Sequence, residues 1–363
     1  MQITAAVLRA TDGPYVLEPV ELAAPAADEV LVRIVAAGMC HTDVLPRAEV
    51  SFSPPPIITG HEGAGVVEAV GDGVTGIEAG DHVVLSFDSC GSCEACLAGS
   101  PAHCETFLMR NLLGRRLDLT TGVTDANGDE VASRWFGQSS FATHAVATAR
   151  NVVVVVDKGL PLEKLGPLGC GIQTGAGSTL VALDVQPGRS IVVFGAGAVG
   201  LAAIMGAAVA DAATIIAVDL HKHRLDLALE LGATHVIDGA ADDVVGQIQG
   251  LTGGGAHYAV DTTGVPAVMT NALAGLRLGG VVGFVGIQVG DLVLDGAALI
   301  GKTAIGILEG NTDPHTFIPR MLELWQAGRF PFDRLIEEFP LAQINEAEEA
   351  SLSGRVVKPV LRP

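Results

Sequence analysis

Apolar positions gather in short β-branched runs punctuated by glycine, and several of these runs lead into stretches compatible with helix. Ser190 to Ala208, SIVVFGAGAVGLAAIMGAA, shows the arrangement most fully: strand, glycine turn, alanine-rich helix. ATIIAVD, ending at Asp219, HYAVDTTG, beginning at His257, and VVGFVGIQ, beginning at Val281, read as further strands. Strand alternating with helix predicts a doubly wound parallel sheet for this half of the chain. Ile191 to Ala210 is the longest apolar run. Its glycines, and the aspartate closing the next strand, assign it to a buried strand and helix rather than to a membrane span. Elsewhere the pattern changes. The opening MQITAAVLRATDGP reads as a strand running into a turn, and Leu108 to Arg134 is polar, predicting an exposed loop.

A chain of 363 residues exceeds the usual size of one hydrophobic core, so two domains are expected. With 49% hydrophobic and 17% charged residues it reads as a globular enzyme rather than a disordered chain. Acidic residues outnumber basic ones 41 to 21, for a formal net charge of -20, which argues against nucleic acid or an anionic membrane surface as partner. The amino terminus lacks the basic flank and apolar core of a signal peptide, so a cytoplasmic location is expected.

Chemistry enters with the cysteines. In a reducing compartment clustered cysteines are metal ligands or redox groups rather than disulfides. Cys90, Cys93, Cys96 and Cys104 follow CxxCxxCx7C, a spacing that turns four thiolates onto one ion in a closed tetrahedron, the signature of a structural zinc. An iron–sulfur cluster is the competing reading, and no partner cluster accompanies it. In the other half, Gly195, Gly197, Val199 and Gly200 lie in a GxGxxG turn between strand and helix, where backbone N–H groups can bind a pyrophosphate. Asp219, 19 residues beyond Gly200, is placed to accept hydrogen bonds from ribose hydroxyls, which favours NAD over NADP. His221, His223 and Arg224 nearby leave room for dual use.

The remaining cysteines lie in AAGMCHTDVLPR, holding Cys40, and LGPLGCGIQTGAGS, holding Cys170, with GHEGAGVVEAVG at Gly60 to Gly71 between them. These segments, the four-cysteine stretch and the dinucleotide motif, in this order, resemble a zinc-dependent alcohol dehydrogenase of the medium-chain dehydrogenase/reductase superfamily. WFGQSSFATHAV and GPLGCGIQTGAG further resemble the aryl or benzyl alcohol branch. The resemblance covers nearly the whole chain. It implies an α/β plus β architecture, in which a Rossmann domain at 156–305 is inserted in a GroES-like, β-rich catalytic domain. That catalytic domain would comprise 1–155, with the structural zinc lobe at about 88–106, and 306–363. It implies two zinc ions per subunit. Cys40, His61 and Cys170 would hold the catalytic one with a fourth position open, as two cysteines and a histidine do in this family. Asp43 would orient His61, and Glu62 would lie behind the metal.

By the same resemblance Thr42 would hydrogen-bond the alcohol oxygen, and Thr174, Val285 and Ile287 would line the nicotinamide. Arg224 would reach the ribose, and His41 and Lys358 the pyrophosphate. Phe52, Phe87, Trp135 and Phe136 would wall a pocket for flat or bulky apolar alcohols. The reaction implied is NAD-linked oxidation of primary aromatic or bulky apolar alcohols to aldehydes and the reverse, zinc favouring the ionised alcohol while hydride passes to the cofactor. Many family members carry a histidine five residues after the first cysteine ligand to hand on the proton. This chain has Leu45 there, so the proton is expected to leave through Thr42 without an imidazole. A homodimer or homotetramer is implied, with the run from Asp291 to Leu308 as a candidate pairing edge. Alternatives are a thiol-dependent formaldehyde dehydrogenase, for which Arg115 and Arg116 would supply basic groups, a nicotinoprotein that keeps its NAD, and, from another class, a non-catalytic NAD- or zinc-binding module.

Overall fold

The computed structural model describes residues 1–48, 51–288, 290–294 and 296–363. It divides into two compact units, the first made of Met1–Cys170, Asp313–Pro319 and Asp333–Pro363, the second of Gly171–Thr312 and Arg320–Phe332. The units part at residue 170 rather than 155, and the second extends beyond 305. Two contacts account for this. Ser86 Oγ donates to the Gly169 carbonyl at 2.6 Å, tying the 156–170 segment to the first unit. Thr174 Oγ1 donates to Glu309 Oε2 at 3.2 Å, tying 306–312 to the second.

Among the described residues the first unit contains two sheets. The smaller runs Ile57–Ile58, Gln2–Leu8, Tyr15–Leu22, Val123–Thr124. The larger runs Ile336–Pro340, Lys358–Arg362, Glu29–Gly38, Glu62–Val70, His82–Leu85, Val152–Val154, with His144–Thr148 also paired to Glu29–Gly38. Pairing is antiparallel except between Ile336–Pro340 and Lys358–Arg362. Glu29–Gly38 is buried over most of its length because strands flank it on both sides. Val30, Val32 and Ile34 from this strand join Val7, Leu8, Trp135 and Phe141 in one core. Each such side chain removed from water contributes roughly 1.5–3 kcal/mol before entropy is counted.

The second unit is a six-stranded parallel sheet ordered His235–Asp238, Thr214–Asp219, Ser190–Phe194, Ala256–Asp261, Leu276–Phe284, Thr303–Gly306. Numbered from Ser190–Phe194 in chain order, that is 3-2-1-4-5-6, so the winding reverses beside the first strand. Ser190–Phe194 is buried throughout, which is why its sequence is continuously apolar instead of alternating. The predicted edge lies where expected in part: Thr303–Gly306 ends the sheet, Gly296–Leu299 is a short 3-10 turn, and Asp295 falls outside the described residues. The 108–134 segment is more structured than a polar loop, with a helix at Phe107–Leu112 and a strand at Val123–Thr124. No helix of the described residues is long and apolar enough to cross a membrane.

Candidate active site and metal centres

Three segments distant in sequence bring Cys40, His61, Glu62 and Cys170 together, with their ligand atoms within 4.8 Å of one another. Cys40 caps the short helix His41–Arg47, His61 precedes the strand Glu62–Val70, and Cys170 ends the turn Gly166–Gly169. Asp43 joins the first two segments. Its Oδ1 accepts from His61 Nδ1 at 2.8 Å and Gly60 N at 2.9 Å, and its Oδ2 accepts from Cys40 N at 3.1 Å. With Nδ1 so engaged, His61 Nε2 is buried and has no hydrogen-bond partner. A buried imidazole nitrogen with no hydrogen-bond partner, in a cluster holding two thiols, fits a metal ion, and the Asp43–His61 pair matches the carboxylate–histidine arrangement that orients metal-binding imidazoles.

Burial works against the imidazolium, but Asp43 and the Cys40 sulfur outweigh it and hold His61 well above its ordinary range. Cys170 and His61 hold the Cys40 thiol well below its own against the effect of burial. The Cys40 sulfur lies 3.8 Å from Thr42 Oγ1. Leu45 packs against the apolar core.

Lys358 departs from expectation. Instead of reaching toward a pyrophosphate, it is buried and its Nζ donates to both Glu62 carboxylate oxygens at 2.9 Å and to Met39 O at 3.0 Å. Its three donors are spent on these three acceptors. Burial lowers the ammonium's affinity for its proton, and Glu62 more than offsets this. A lone lysine in the apolar strand KPVLR was the available signal that it needed a buried partner.

Cys90, Cys93, Cys96 and Cys104 form the second cluster, also within 4.8 Å. None of the six cysteines forms a disulfide. The N–H groups of Ser92 and Cys93 donate to Cys90 Sγ at 3.4 and 3.2 Å and lower its pKa to about 5. Desolvation and the neighbouring sulfurs push Cys96 up to about 12. Four cysteine sulfurs this close can converge on one cation that would hold all of them as thiolates, so the donor set fits zinc.

The aromatic residues divide. Phe87, Trp135 and Phe136 are buried, and Phe136 stacks on His61 with ring centroids 4.4 Å apart and planes at 25°. Phe87 and Phe136 both meet Phe107, a ring sequence reasoning missed. Phe52, expected in the same wall, is 68% exposed. The arginines weighed for a thiol adduct are also engaged: Arg116 grips Glu29 through two nitrogens at 2.6 and 2.8 Å, and Arg115 pairs with Glu130 at 2.7 Å.

In the second unit, Gly195, Gly197, Asp219, Arg224, Thr262 and Asn271 help line a cavity of about 390 Å³. The helix Ala198–Val209 starts directly after Gly197, with Val199 in its first turn. A Cβ at Gly200 would fall 1.8 Å from Gly195 O, whereas one at Gly197 would meet nothing within 4 Å and would project into the open cradle. Asp219 Oδ2 accepts from Ala196 N at 2.6 Å, and Oδ1 from His221 N and Nδ1 at 2.8 and 3.0 Å. Burial raises the Asp219 pKa, but these bonds prevail and keep it below the ordinary carboxylate range. The open glycine turn and the ionised aspartate fit a dinucleotide with free ribose hydroxyls. Val285 and Ile287 follow the carboxyl end of Leu276–Phe284, Ile287 half exposed, and Thr174 is buried against Glu309. His41 is exposed on the first unit.

Fold and site together define a metal-type dehydrogenase with a separate dinucleotide unit, and the comparisons agree. Residues 26–157 match the alcohol dehydrogenase GroES-like domain and 198–326 the zinc-binding dehydrogenase family. The chain belongs to the zinc-binding alcohol dehydrogenases of the medium-chain dehydrogenase/reductase superfamily. It is 48% identical over 362 residues to geraniol dehydrogenase of Castellaniella defragrans, covering 98% of this chain and 96% of that one. Benzyl alcohol dehydrogenase from Acinetobacter calcoaceticus superposes with a TM-score of 0.95 at 42% identity, covering 100% and 99% of the two chains. A zinc-binding-domain alcohol dehydrogenase from Burkholderia ambifaria gives 0.96 at 48%, with the same coverage.

Proposed function

We propose that the protein is a zinc- and NAD-dependent dehydrogenase of primary alcohols whose carbinol carbon adjoins a π system, benzylic or allylic, working in either direction. The observation that carries the metal half is the buried, unpartnered Nε2 of His61 among Cys40 and Cys170, with Asp43 fixing the ring from behind. Three protein ligands leave a fourth position for substrate. Support for the alcohol class comes from the relatives: geraniol and benzyl alcohol both carry a primary hydroxyl next to an sp2 carbon, and their aldehydes are conjugated. The rings of Phe87, Trp135 and Phe136 supply apolar surface beside His61.

Cys40, His61 and Cys170 would hold the catalytic zinc, which when bound supplies a Lewis acid for the alcohol oxygen. NAD would lie in the Gly195–Gly200 cradle with its ribose on Asp219 and supply the hydride acceptor. The chain's own groups do the rest. Thr42 would relay the proton, its hydroxyl taking the alcohol's proton while giving its own to a solvent water, since Leu45 cannot. Asp43 holds His61 in one tautomer. Lys358 balances the Glu62 carboxylate, so that its charge is countered inside the protein. The tetracysteine set would bind a second, structural zinc.

The test is NADH absorbance with NAD and benzyl alcohol, geraniol or ethanol, alongside zinc content by mass spectrometry. Two zincs per chain, chelator-sensitive NADH formation and a kcat/KM for the first two alcohols well above that for ethanol are expected. Comparable kcat/KM for all three removes the π-adjacent preference, and turnover without metal removes the mechanism.

A further inference from the structure

The turn after Arg134 is strained, and it carries two core rings, Trp135 and Phe136. Phe136, Gly137 and Ser139 have φ of 50°, 66° and 54°. Non-glycine residues in this region are energetically unfavourable and persist where their surroundings over-determine them. What the strain achieves is visible around His61. Phe136 is laid on the imidazole face, Ser139 Oγ donates to Ile58 O at 2.6 Å, and between them Gln138 points inward, 1% exposed.

The Gln138 carboxamide bonds in three directions. Nε2 donates to His61 O at 3.0 Å and to Ser86 O at 3.1 Å, and Oε1 accepts from Gly63 N at 3.1 Å. Ser86 then donates from Oγ to the carbonyl of Gly169, the residue before Cys170. A Cβ at Gly169 would lie 2.0 Å from Leu85 O, so the Cys170 turn sits directly on the Leu85–Ser86 backbone. Asp43 fixes Cys40 against His61. Between His61 and Cys170, Gly166 packs on the Glu62 carbonyl, and the hydrogen-bonded link runs through Gln138 and Ser86.

Resting on the reading that Cys40, His61 and Cys170 hold zinc, we propose that Gln138 is the positioning residue that sets the separation of His61 from Cys170. It thereby sets the affinity and geometry of the catalytic metal, and of that metal alone. A primary amide suits this role because it offers two N–H donors and a carbonyl acceptor in one rigid plane. Glutamate keeps the size but loses both donors. Leucine fills much of the volume and leaves His61 O, Ser86 O and Gly63 N unpaired.

The experiment compares wild type, Gln138→Leu and Gln138→Glu for zinc affinity by chelator competition and for the visible spectrum of the cobalt(II)-substituted protein. That spectrum reports ligand geometry without turnover. The tetracysteine metal is the internal control. Expected for both variants is a loss of about 10- to 100-fold in affinity at one site, with shifted cobalt bands and the other metal retained. The near-isosteric Glu variant answers the question if the Leu variant does not fold. Two zincs in wild type, with unchanged affinity and cobalt spectrum in the variants, overturn the proposal alone and leave Gln138 as packing. A wild type that retains its zinc when Cys170 is replaced by serine binds none at the Cys40–His61–Cys170 set, and overturns the parent reading and this one with it.

Discussion

Asp43 illustrates how much one carboxylate can organise. It receives three donors, Cys40 N, Gly60 N and His61 Nδ1, and an asparagine in its place would turn an NH2 group against at least one of them. Asp43→Asn is therefore expected to weaken zinc binding at the catalytic set by about 10- to 100-fold, measured by chelator competition, while the tetracysteine metal stays. Thr42 and Leu45 test the proton's route. Thr42→Val should lower kcat by about 100-fold or more with metal content unchanged, and Thr42→Ser should restore most of it. Leu45→His should leave the pH profile of hydride transfer as it is. A profile that gains a group titrating near neutral pH would show that the proton does use that position.

Among elements, the 108–134 segment carries a prediction about stability. Glu29 begins the central strand of the larger sheet, and its carboxylate is gripped by Arg116 and by Arg134 at 3.1 Å. Arg134 is buried, with further bonds to Val146 O and Thr148 Oγ1. Removing the carboxylate takes away the strongest of the charges facing that guanidinium and leaves the weaker ones of Asp88 and Asp28, so Glu29→Gln is expected to destabilise the first unit by up to about 3–5 kcal/mol in urea unfolding. Burial opposes ionisation of Glu29, but Arg116 and Arg134 outweigh it and depress the folded pKa. The pair's contribution is thus full above the unfolded carboxylate value of about 4.3 and lost as pH falls through the lower folded value. The wild-type advantage over Glu29→Gln should disappear in that acid window, and an advantage that persists below it would assign the effect to packing. What was legible from sequence at this scale follows the same division. The Ser190–Gly200 strand, turn and helix could be read because the signal is contiguous, and so could the four cysteines. The Lys358–Glu62 pair spans 296 residues and the Arg116–Glu29 pair 87, and nothing local announces either. The left-handed turn at Phe136 to Ser139 carries only one glycine, so its shape, and Gln138 with it, went unread.

At the scale of the molecule, the two units divide the chemistry: both clustered metal-type sets lie in the first, and the dinucleotide cradle lies in the second. Their dependence on metal should differ accordingly. The lobe around Cys90–Cys104 has little apolar material of its own. Its short helix Glu94–Leu97 buries no residue, and Leu97 is 76% exposed. Beyond Ala102 and Cys104, which join the core of the first unit, a zinc bound here would be what holds the segment, and the free energy of metal binding would become free energy of folding. The parallel sheet is built differently, around Val192, Phe194, Ile216 and Val282, all nearly inaccessible to solvent. Exhaustive chelation is therefore expected to abolish turnover and open the 88–106 segment to proteolysis, read by the sites of first cleavage. NAD binding, followed by calorimetry, should remain measurable. Loss of NAD binding in step with metal would mean that the second unit depends on the first for its fold, and first cleavage elsewhere would mean that the cysteine lobe does not need zinc. The outcome separates a metal that assembles one lobe from a metal that assembles the enzyme.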